Sequence, residues 1–307
     1  MDQVLERLSS NARVAVIRLR SLGDCVLTTP ALSLLKQARP DLEVAVVVED
    51  SFAPLFAGNS DIDHILAPSA GELSRWRPDL TLNLHGGTRS VQLTVATRSA
   101  IRAGFAHFRF QAVYNVRIPR AQEILGCERK VHTAEHLASA MFYLGVPVQE
   151  IPRARLVASG REENGPYAVL HPVAAAPEKT WPAANFLELA AHIERDPGLE
   201  PVFIGGPGED LSAFRRYRTI SGARLEDIKR LLSCAALFIG NDSGPAHMAA
   251  AFGLPVVVMF GPSDPEIWHP WKTESAVLAD RQSIANIPVS DARGAVEKLA
   301  LLSRQPQ

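Results

Sequence analysis

The stretch FIGNDSGPAHMAAAFGLPVVVMFGPSDP, residues 238–265, constrains the fold more than any other part of the chain. Two apolar runs of strand length, 237–239 and 255–260, flank a segment of helical composition at 246–252. This pattern predicts a β-loop-α-β unit of a parallel sheet, with both loops at the carboxyl ends of strands. Ligands bind at that edge of open α/β sheets, although Gly-Pro loops can also serve only to turn the chain.

The same alternation of strands and helices runs through both halves of the chain. Predicted strands lie at 14–19, 43–49, 79–86 and 167–172 and within the segment 200–210. Predicted helices lie at 31–40, 130–147 (ending at Gly145), 185–195, 224–235 and 291–303. A polar stretch with Pro and Gly, 148–166, separates the halves. The sequence therefore predicts an α/β protein with two doubly wound domains, residues 1–158 and 159–307, and a cleft between them.

Composition excludes several classes of protein. The chain has 307 residues, is 47% hydrophobic and carries a formal net charge of −1, which gives no global argument for nucleic-acid binding. Its three cysteines, Cys25, Cys127 and Cys234, lie too far apart to indicate a disulfide framework or a metal site. The first residues lack an apolar signal segment, and no apolar run has the length of a membrane span. We expect a soluble protein of a reducing compartment, the cytoplasm, with room for peripheral membrane contact.

Several loops at predicted strand ends carry groups that suit an anionic ligand. Gly23-Asp24 follows the first strand, Lys179 lies in a Pro-bounded loop, and Glu209 follows a glycine-rich loop. The backbone N–H groups of Ser243, Gly244 and Ala246 lie at a predicted helix start, where the helix dipole favours anions. Pro245 has no N–H to donate. A phosphate group is the ligand that this arrangement predicts.

Six segments together resemble one known family. They are VIRLRSLGDCVLTTPAL, FAGNSDIDHIL, KVHTAEHLASAMFYLGV, HPVAAAPEKTWPAANFLELA, FIGGPGE and FIGNDSGPAHMAAAFGLPVVVMFGPSDP. In this order they resemble the bacterial heptosyltransferases, glycosyltransferase family 9, over nearly the whole chain. The resemblance implies a GT-B architecture, in which two Rossmann-like domains face each other across a cleft. It also implies an inverting, metal-independent and cofactor-independent transfer from a nucleotide-sugar, typically ADP-heptose, to a lipopolysaccharide core acceptor, an anionic glycolipid at the inner membrane surface.

The resemblance also assigns roles to residues. Asp24 matches the family's proposed general base, and Lys179 matches the lysine that contacts the donor diphosphate during transfer. Glu209 matches the acid that binds the ribose. The donor side further includes Gly23 and the signature residues Asp242, Ser243, Gly244 and His247.

Each of these residues has a simpler interpretation that the sequence leaves open. Asp24 can be a helix N-cap, Lys179 a solvated lysine, and Glu209 a cap or a solvated pair with Asp210. The chain between residues 208 and 224 is shorter than is usual in the family. This region must compress a helix and a strand that would normally shape the nucleotide pocket. The sequence therefore leaves open which nucleobase the donor carries.

Other patterns are interpreted as structural. Asp61-Ile62-Asp63 resembles the metal-binding DxD of other glycosyltransferases but follows a Gly-Asn-Ser loop, and no metal is predicted. His132 and His136 are expected on one helix face, not as zinc ligands, because no HExxH pattern is present. His85 is placed on the acceptor side, and Cys25 in the core.

The acceptor prediction rests on charge. Residues 80–122 contain six arginines and no Asp or Glu, and residues 1–155 carry 18 Lys+Arg against 15 Asp+Glu. Phe105, Phe108, Phe110 and Tyr114 interleave with these arginines, which predicts an apolar and cationic face for an anionic glycolipid. A solvated basic loop is the alternative. The predicted acceptor residues are Arg89, Arg102, Arg109, Arg117 and Arg120.

Three other functions remain open from the sequence. One is a glycosyltransferase with another nucleotide-sugar donor, the second is a sugar-nucleotide epimerase of the same fold, and the third is a non-catalytic nucleotide-sugar binding protein. A dehydrogenase is disfavoured because no G-x-G-x-x-G follows the first strand.

Overall fold

A computed structural model describes residues 3–160 and 166–303. The chain separates into two compact units, Met1–Val157 and Ala158–Gln307, a boundary one residue from the predicted position. Each unit contains its own six-stranded parallel sheet and its own hydrophobic core.

The first unit is built around a parallel sheet with the order β3-β2-β1-β4-β5-β6. In β1 four of the five residues are buried, as expected for a parallel strand whose two faces are both covered. The strand order reverses between β1 and β4, and this switch point is where ligands bind in such sheets. The strands are β1 Arg13–Ile17, β2 Glu43–Val47, β3 His64–Leu66, β4 Leu80–Asn83, β5 Ile101–Phe105 and β6 Val116–Ile118.

The described residues of the first unit form six helices beside this sheet. The last one, α6, ends at Leu144 with Gly145 at φ 121°, which agrees with the predicted glycine stop. Short 3-10 turns lie at Leu5–Arg7, Asp50–Phe52 and Gln111–Val113. The helices are α1 Leu22–Ala38, α2 Ala53–Phe56, α3 Ala70–Trp76, α4 Thr88–Ala96, α5 Ala121–Leu125 and α6 Thr133–Leu144.

The second unit repeats the same topology. Its sheet has the order β12-β11-β10-β7-β8-β9, so the order reverses between β7 and β10. All pairs in it are parallel. The strands are β7 Tyr167–His171, β8 Glu200–Gly205, β9 Arg218–Ser221, β10 Leu237–Asn241, β11 Val256–Phe260 and β12 Ser275–Ala279.

The helices of the second unit include the small-residue helix predicted from the sequence. They are α7 Ala183–Arg195, α8 Leu225–Cys234, α9 Gly244–Ala251, α10 Pro265–Trp268 and α11 Val289–Ser303, with 3-10 turns at Pro177–Lys179, Ser212–Phe214 and Ile284–Asn286. The short region 208–224 holds one 3-10 turn and β9, which agrees with the predicted compression. Among the described residues, no helix combines the length and apolar character that crossing a bilayer requires.

Five of the strands in the described residues were not predicted from the sequence: β3, β5, β6, β9 and β12. The outer strands β9 and β12 lack the continuous buried pattern of the central strands, because every residue in them keeps some exposure. Strand β6 has only three residues, and β5 contains Gly104 within its five. Apolar runs therefore identified the strands at the middle of each sheet and missed several of the outer ones.

Candidate active site

The switch point of the first sheet is bridged by Arg18, which follows β1. Its guanidinium donates hydrogen bonds to the carbonyl of Leu84, at 2.7 Å, and to Asp24 Oδ1, at 2.5 Å. Leu84 follows β4, so the Arg18 side chain links the ends of β1 and β4, the two strands between which the order reverses. Arg18 is only 7% exposed, and an arginine this buried needs the carboxylate as its counter-charge.

Asp24 lies in the first turn of α1. Its Oδ2 accepts hydrogen bonds from the Ser21 hydroxyl, at 2.9 Å, and from the Ser21 backbone N–H, at 3.4 Å. The N-cap is therefore Ser21 and not Asp24, and the carboxylate closes the helix start from the third helical position. Its side chain remains 25% exposed, so this structural role leaves the carboxylate accessible. Gly23, beside it, is buried in the same turn, and Cys25 is fully buried, in agreement with its predicted packing role.

The loop after β4 is held by the buried side chain of Asn83. Asn83 Oδ1 accepts hydrogen bonds from the backbone N–H groups of His85 and Gly86, both at 3.0 Å. Its Nδ2 donates to three buried hydroxyls, those of Ser90, Thr94 and Tyr114, at 3.0–3.1 Å. Both the oxygen and the nitrogen of this amide have hydrogen-bond partners, so Asn83 holds the backbone of the loop that follows β4 in place.

Two histidines near Arg18 have pKa values below the usual value for histidine. Burial, followed by the charge of Arg18, lowers the pKa of His85. Burial is also the main cause that lowers the pKa of His136 to about 4, with the charges of His107 and Arg18 adding to it. The His136 ring stacks on Phe105, with ring centroids 4.1 Å apart.

The prediction that His132 and His136 share a helix face was wrong for His132. His132 is the N-cap of α6, and its Nδ1 accepts a hydrogen bond from the backbone N–H of Ala134. The helix begins at Thr133, three residues later than predicted. His132 before it has extended backbone dihedrals and caps the helix with its side chain.

The switch point of the second sheet is bridged by His171 and Ser243. His171 ends β7, Ser243 follows β10, and the distance between His171 Nδ1 and Ser243 Oγ is 3.0 Å. On the other side of the ring, Nε2 lies 3.6 Å from Glu209 Oε2, which is an ion-pair distance and too long for a hydrogen bond. The same Oε2 accepts a hydrogen bond of 2.7 Å from the backbone N–H of Gly206.

Glu209 is therefore held as a carboxylate. The imidazole of His171 beside it, with the Gly206 N–H, lowers the pKa of Glu209 despite partial burial. Both protein contacts use Oε2, and within the described part of the chain no hydrogen bond reaches Oε1. Sequence reasoning missed His171; the signal was a histidine at the last position of an apolar strand, directly before Pro172.

Lys179 reaches the same edge from the 3-10 turn Pro177–Lys179. Its Nζ lies 3.8 Å from Asp242 Oδ2, so two predicted residues that are far apart in sequence form an ion pair. The turn is fixed by Trp181, which is fully buried. Its backbone N–H donates to Asn241 Oδ1, at 2.9 Å, and its indole N–H donates to the carbonyl of Ile287, at 3.0 Å.

The Gly-Pro loop at the end of β11 has a packing reason for its glycine. A Cβ atom on Gly261 would lie 2.5 Å from the backbone carbonyl oxygen of Glu178. The backbone of the Lys179 turn therefore packs directly against the end of β11. The loop that looked like a possible chain turn also determines where Lys179 lies.

The start of α9 provides fewer donors than predicted. Ser243 is the N-cap, and the first N–H groups of a helix have no intrahelical acceptor. The backbone N–H of Ala246 donates to the Ser243 carbonyl at 3.2 Å, which removes it from the predicted phosphate donors. Ser243 and Gly244 remain. His247, also on α9, is 4% exposed, and its ring centroid lies 6.3 Å from that of Trp268.

The apolar and cationic face predicted for residues 80–122 does not form as expected. Phe105 and Tyr114 are 0% and 2% exposed, so both belong to the core. The guanidinium of Arg102 donates to the backbone carbonyls of Val113 and Ser99, and therefore has a structural role. The other predicted arginines are exposed: Arg89, paired with Glu49 at 3.0 Å, Arg109, over the ring of Phe110, Arg117 on β6, and Arg120 at the start of α5.

Asp61 and Asp63 both have structural partners. Asp63 Oδ2 accepts from Lys36 Nζ, at 2.6 Å, and from the backbone N–H of Val44, at 2.7 Å. Asp61 is buried, and its carboxylate lies 3.9 Å from Arg155. Within residues 3–160 and 166–303, no three His, Cys, Asp or Glu side chains are grouped as a metal site would require.

The sequence model of one family, described as Glycosyltransferase family 9 (heptosyltransferase), matches residues 70–288, which is more than half of the chain. The chain belongs to glycosyltransferase family 9. The family assignment made from the six motifs is therefore confirmed, and the protein is a glycosyltransferase.

Curated members of the family are similar over almost their full length. Lipopolysaccharide heptosyltransferase 3 of Escherichia coli K12 is 25% identical, over 92% of this chain and 96% of its own. Lipopolysaccharide heptosyltransferase 1 of Salmonella typhimurium is 24% identical, over 92% of this chain and 99% of its own.

Solved structures of family 9 members share the fold. A family 9 glycosyl transferase from Veillonella parvula has a TM-score of 0.84 at 22% identity, covering 95% of this chain and 98% of its own. The E. coli ADP-heptose LPS heptosyltransferase II has a TM-score of 0.80 at 19% identity, covering 95% and 100%. The predicted fold class, GT-B with two Rossmann-like units, is confirmed.

Proposed function

We propose that this family 9 enzyme transfers a heptose from ADP-heptose to a lipopolysaccharide core acceptor, with inversion and without a metal ion. Two of its relatives are named lipopolysaccharide heptosyltransferases, and a structure of E. coli heptosyltransferase WaaC with ADP shares the fold, with a TM-score of 0.77 at 19% identity. These names support the choice of sugar, nucleotide and acceptor class.

One observation carries the donor site: the carboxyl edge of the second sheet gathers groups that suit a nucleoside diphosphate. Lys179, the Ser243 hydroxyl and the start of α9 supply a cation and hydrogen-bond donors for phosphate oxygens. Glu209 has its Oε2 bound to the Gly206 N–H, and in this proposal its Oε1 accepts a ribose hydroxyl. A diphosphate bound here becomes the leaving group, and the same donors stabilise the charge that develops on it. This is why we expect transfer to proceed without a metal ion.

Asp24 is the proposed general base in the first unit. An acceptor hydroxyl is a weak nucleophile, so a carboxylate must take its proton as the new glycosidic bond forms. Arg18 holds one carboxylate oxygen and Ser21 the other, which fixes the orientation of the group before the acceptor arrives. One base without a second, nucleophilic carboxylate leads to direct displacement and to inversion at the anomeric carbon.

The acceptor surface belongs to the first unit in this proposal. The exposed arginines Arg109, Arg117 and Arg120 suit the phosphate and carboxylate groups of an anionic glycolipid. An acceptor of this kind places the enzyme in the cytoplasm, at the surface of the inner membrane. Arg102 is not part of this set, because backbone carbonyls already occupy its guanidinium.

Calorimetric titration with ADP, UDP and GDP tests the donor site. We expect ADP to bind most tightly, and Lys179→Ala to weaken ADP binding by about tenfold or more, because a charge-assisted contact to phosphate is lost. Lys298→Ala is the matched control, since Lys298 is exposed on α11. Equal ADP affinity in both variants would remove Lys179 from the site.

A chelator tests metal independence with the same preparation. We expect heptose transfer to continue in EDTA, because protein groups meet the charge on the leaving diphosphate. Loss of transfer in EDTA, with recovery on adding magnesium or manganese, would contradict the metal-independent proposal and leave the donor proposal standing.

A further inference from the structure

His171 lies between two loops that come from different strands of the second sheet. Its ring is 6% exposed, with Nδ1 at 3.0 Å from Ser243 Oγ after β10 and Nε2 at 3.6 Å from Glu209 Oε2 after β8. Both ring nitrogens therefore face polar groups, and neither of those groups is on β7 itself. A buried ring in this position transmits its protonation state to both loops.

The carboxylate of Glu209 favours one of the two tautomers. Its negative charge lies 3.6 Å from Nε2, too far for a hydrogen bond but close enough to favour the proton on that nitrogen. The neutral ring is therefore protonated at Nε2 and bare at Nδ1. In that state the hydroxyl of Ser243 must donate its proton to Nδ1, which turns lone pairs of Oγ towards any ligand.

Protonation of the ring reverses this hydrogen bond. With a proton on Nδ1, the ring donates to Ser243 Oγ, and the hydroxyl proton is released to point elsewhere. The released proton can be donated to a phosphate oxygen at the start of α9, where Ser243 is the N-cap. The anion and the proton on His171 therefore favour each other's binding.

We propose that His171 is a positioning residue for the donor diphosphate, and that it couples diphosphate binding to uptake of a proton through Ser243. The inference rests on the proposed function, in that it places the diphosphate at this edge of the second sheet. His171 itself does not contact the reacting atoms. It determines whether the Ser243 hydroxyl donates to the phosphate or to the ring.

The charged groups around the ring are consistent with this coupling. Glu209 faces Nε2 from the β8 loop, and Ser243 faces Nδ1 from the β10 loop. Lys179 and Asp242 are further charged groups on the loops at this edge, and they lie 3.8 Å apart and pair with each other. In the proposed coupling, a phosphate anion bound at the start of α9 adds negative charge on the Nδ1 side of the ring.

Two substitutions separate the nitrogens. His171→Asn places an amide group near the position of Nδ1, where it can donate to Ser243 without titrating. His171→Gln places an amide near the position of Nε2 and leaves Ser243 without its partner. His192→Asn is the control, because His192 is a largely buried histidine of the same unit that pairs with Glu297 on α11.

The test is calorimetric titration of the whole protein with ADP, and separately with inorganic pyrophosphate, between pH 5.5 and 8. Repeating each titration in buffers of different ionisation enthalpy counts the protons taken up. We expect uptake in the wild type to exceed that in His171→Asn by up to about one proton, which corresponds to at most about a tenfold change in affinity per pH unit. His192→Asn should match the wild type, and His171→Gln should bind more weakly than His171→Asn.

Ser243→Ala keeps the inference testable if a His171 variant fails to fold. It should lose the same proton uptake, because the hydroxyl that links the ring to the phosphate is gone. The structure gives the Ser243 side chain no helix-capping hydrogen bond, so its removal should leave folding intact.

The outcomes distinguish the inference from the proposed function. Equal proton uptake in the wild type, His171→Asn and Ser243→Ala would overturn the role of His171 and leave the diphosphate site in place. Absence of binding by both ADP and pyrophosphate in the wild type would overturn both. Binding of pyrophosphate with proton uptake, but without a preference for ADP, would support His171 and contradict the choice of nucleotide.

Discussion

The two sheets have the same strand order, and in each unit the fourth strand along the chain ends in a buried asparagine. The two asparagines differ in the hydrogen bonds that their side-chain amides make. Asn83, at the end of β4, is bonded to two backbone N–H groups and three hydroxyls. Asn241, at the end of β10, accepts from the Trp181 N–H, and its Nδ2 has no hydrogen-bond partner among the described residues.

This difference separates two kinds of edge. At the first edge the protein satisfies the Asn83 amide and orients one carboxylate, which suits a base that must act from a fixed position. At the second edge a lysine, a hydroxyl and a helix start converge. Such groups suit the binding of an anion from solution. In the proposed function, the same topology therefore serves proton transfer in one unit and phosphate binding in the other.

The largest expected effect is at the first edge. Asp24→Asn should lower kcat for transfer by about 10²- to 10⁴-fold and leave the affinity for ADP unchanged, because the base is lost and the second unit is untouched. Steady-state kinetics with calorimetry checks both quantities, and Asp50→Asn, at an exposed carboxylate of the same unit, is the control. A parent rate of transfer in Asp24→Asn would show that the base lies elsewhere.

The asparagines themselves test the comparison through stability. Asn83→Ala should lower the free energy of unfolding by about 2–4 kcal/mol, because several buried partners lose their hydrogen bonds at once. Asn241→Ala removes one hydrogen bond and should cost about 1 kcal/mol. Urea unfolding of the two variants measures the difference. Equal losses of unfolding free energy would mean that the two asparagines contribute equally to stability, and the contrast between the edges would not hold.

The pH dependence of stability sharpens the contrast for the first unit. His136 has a pKa of about 4 in the folded protein, lowered by burial, whereas an unfolded histidine titrates near pH 6.5. Its neutral form is favoured by folding, so this stabilisation is complete above pH 6.5 and is lost as the pH falls from about 6.5 to 4. The loss should reach at most about 3 kcal/mol.

Unfolding free energies measured between pH 4 and 7 check this expectation. His136→Gln should flatten the slope, since glutamine does not titrate in that range. His64→Gln is the control, because the His64 side chain is 43% exposed. An unchanged slope in His136→Gln would assign the pH dependence to other groups.

The smallest expected effect concerns the loop that positions Lys179. Gly261→Ala would bring a Cβ to 2.5 Å from the Glu178 carbonyl oxygen, and should cost about 1–3 kcal/mol of stability and weaken ADP binding. Gly294→Ala, on α11 with no atom within 4 Å of the added Cβ, should instead stabilise the protein by about 0.5–1 kcal/mol. Unchanged ADP affinity in Gly261→Ala would show that the turn does not depend on this contact.

Much of the fold could be read from the sequence because the central strands are buried on both faces. Runs such as 43–47 and 256–260 are continuously apolar, and the glycine at 145 ends α6 as predicted. Outer strands such as β9 and β12 pair on one side only and keep exposed residues, so periodicity did not distinguish them from loops. The missed strands follow from this difference in burial.

The candidate site was predictable in its residue types and only partly in its contacts. Lys179, Glu209 and the Asp242 loop do lie at one edge of one sheet, as the resemblance implied, while their roles stay predictions. His171 was missed because a histidine at a strand end has no motif of its own. Phe105 and Arg102 were assigned to a surface because the spacing of residues in the sequence does not show which side chains are buried. Phe105 lies in the core, and the Arg102 guanidinium donates to a backbone carbonyl.

The sequence by itself determined the alternation of strands and helices in two halves separated by the polar stretch 148–166. It did not identify Ser21 as the N-cap that Asp24 contacts, although the two are only three residues apart. Only the tertiary structure decided that Lys179 meets Asp242 and that His171 lies between Ser243 and Glu209. The reason is that a parallel sheet brings the carboxyl ends of its strands together, however far apart the strands are in the sequence. The packing of side chains in the core then determines which atoms of the loops face each other.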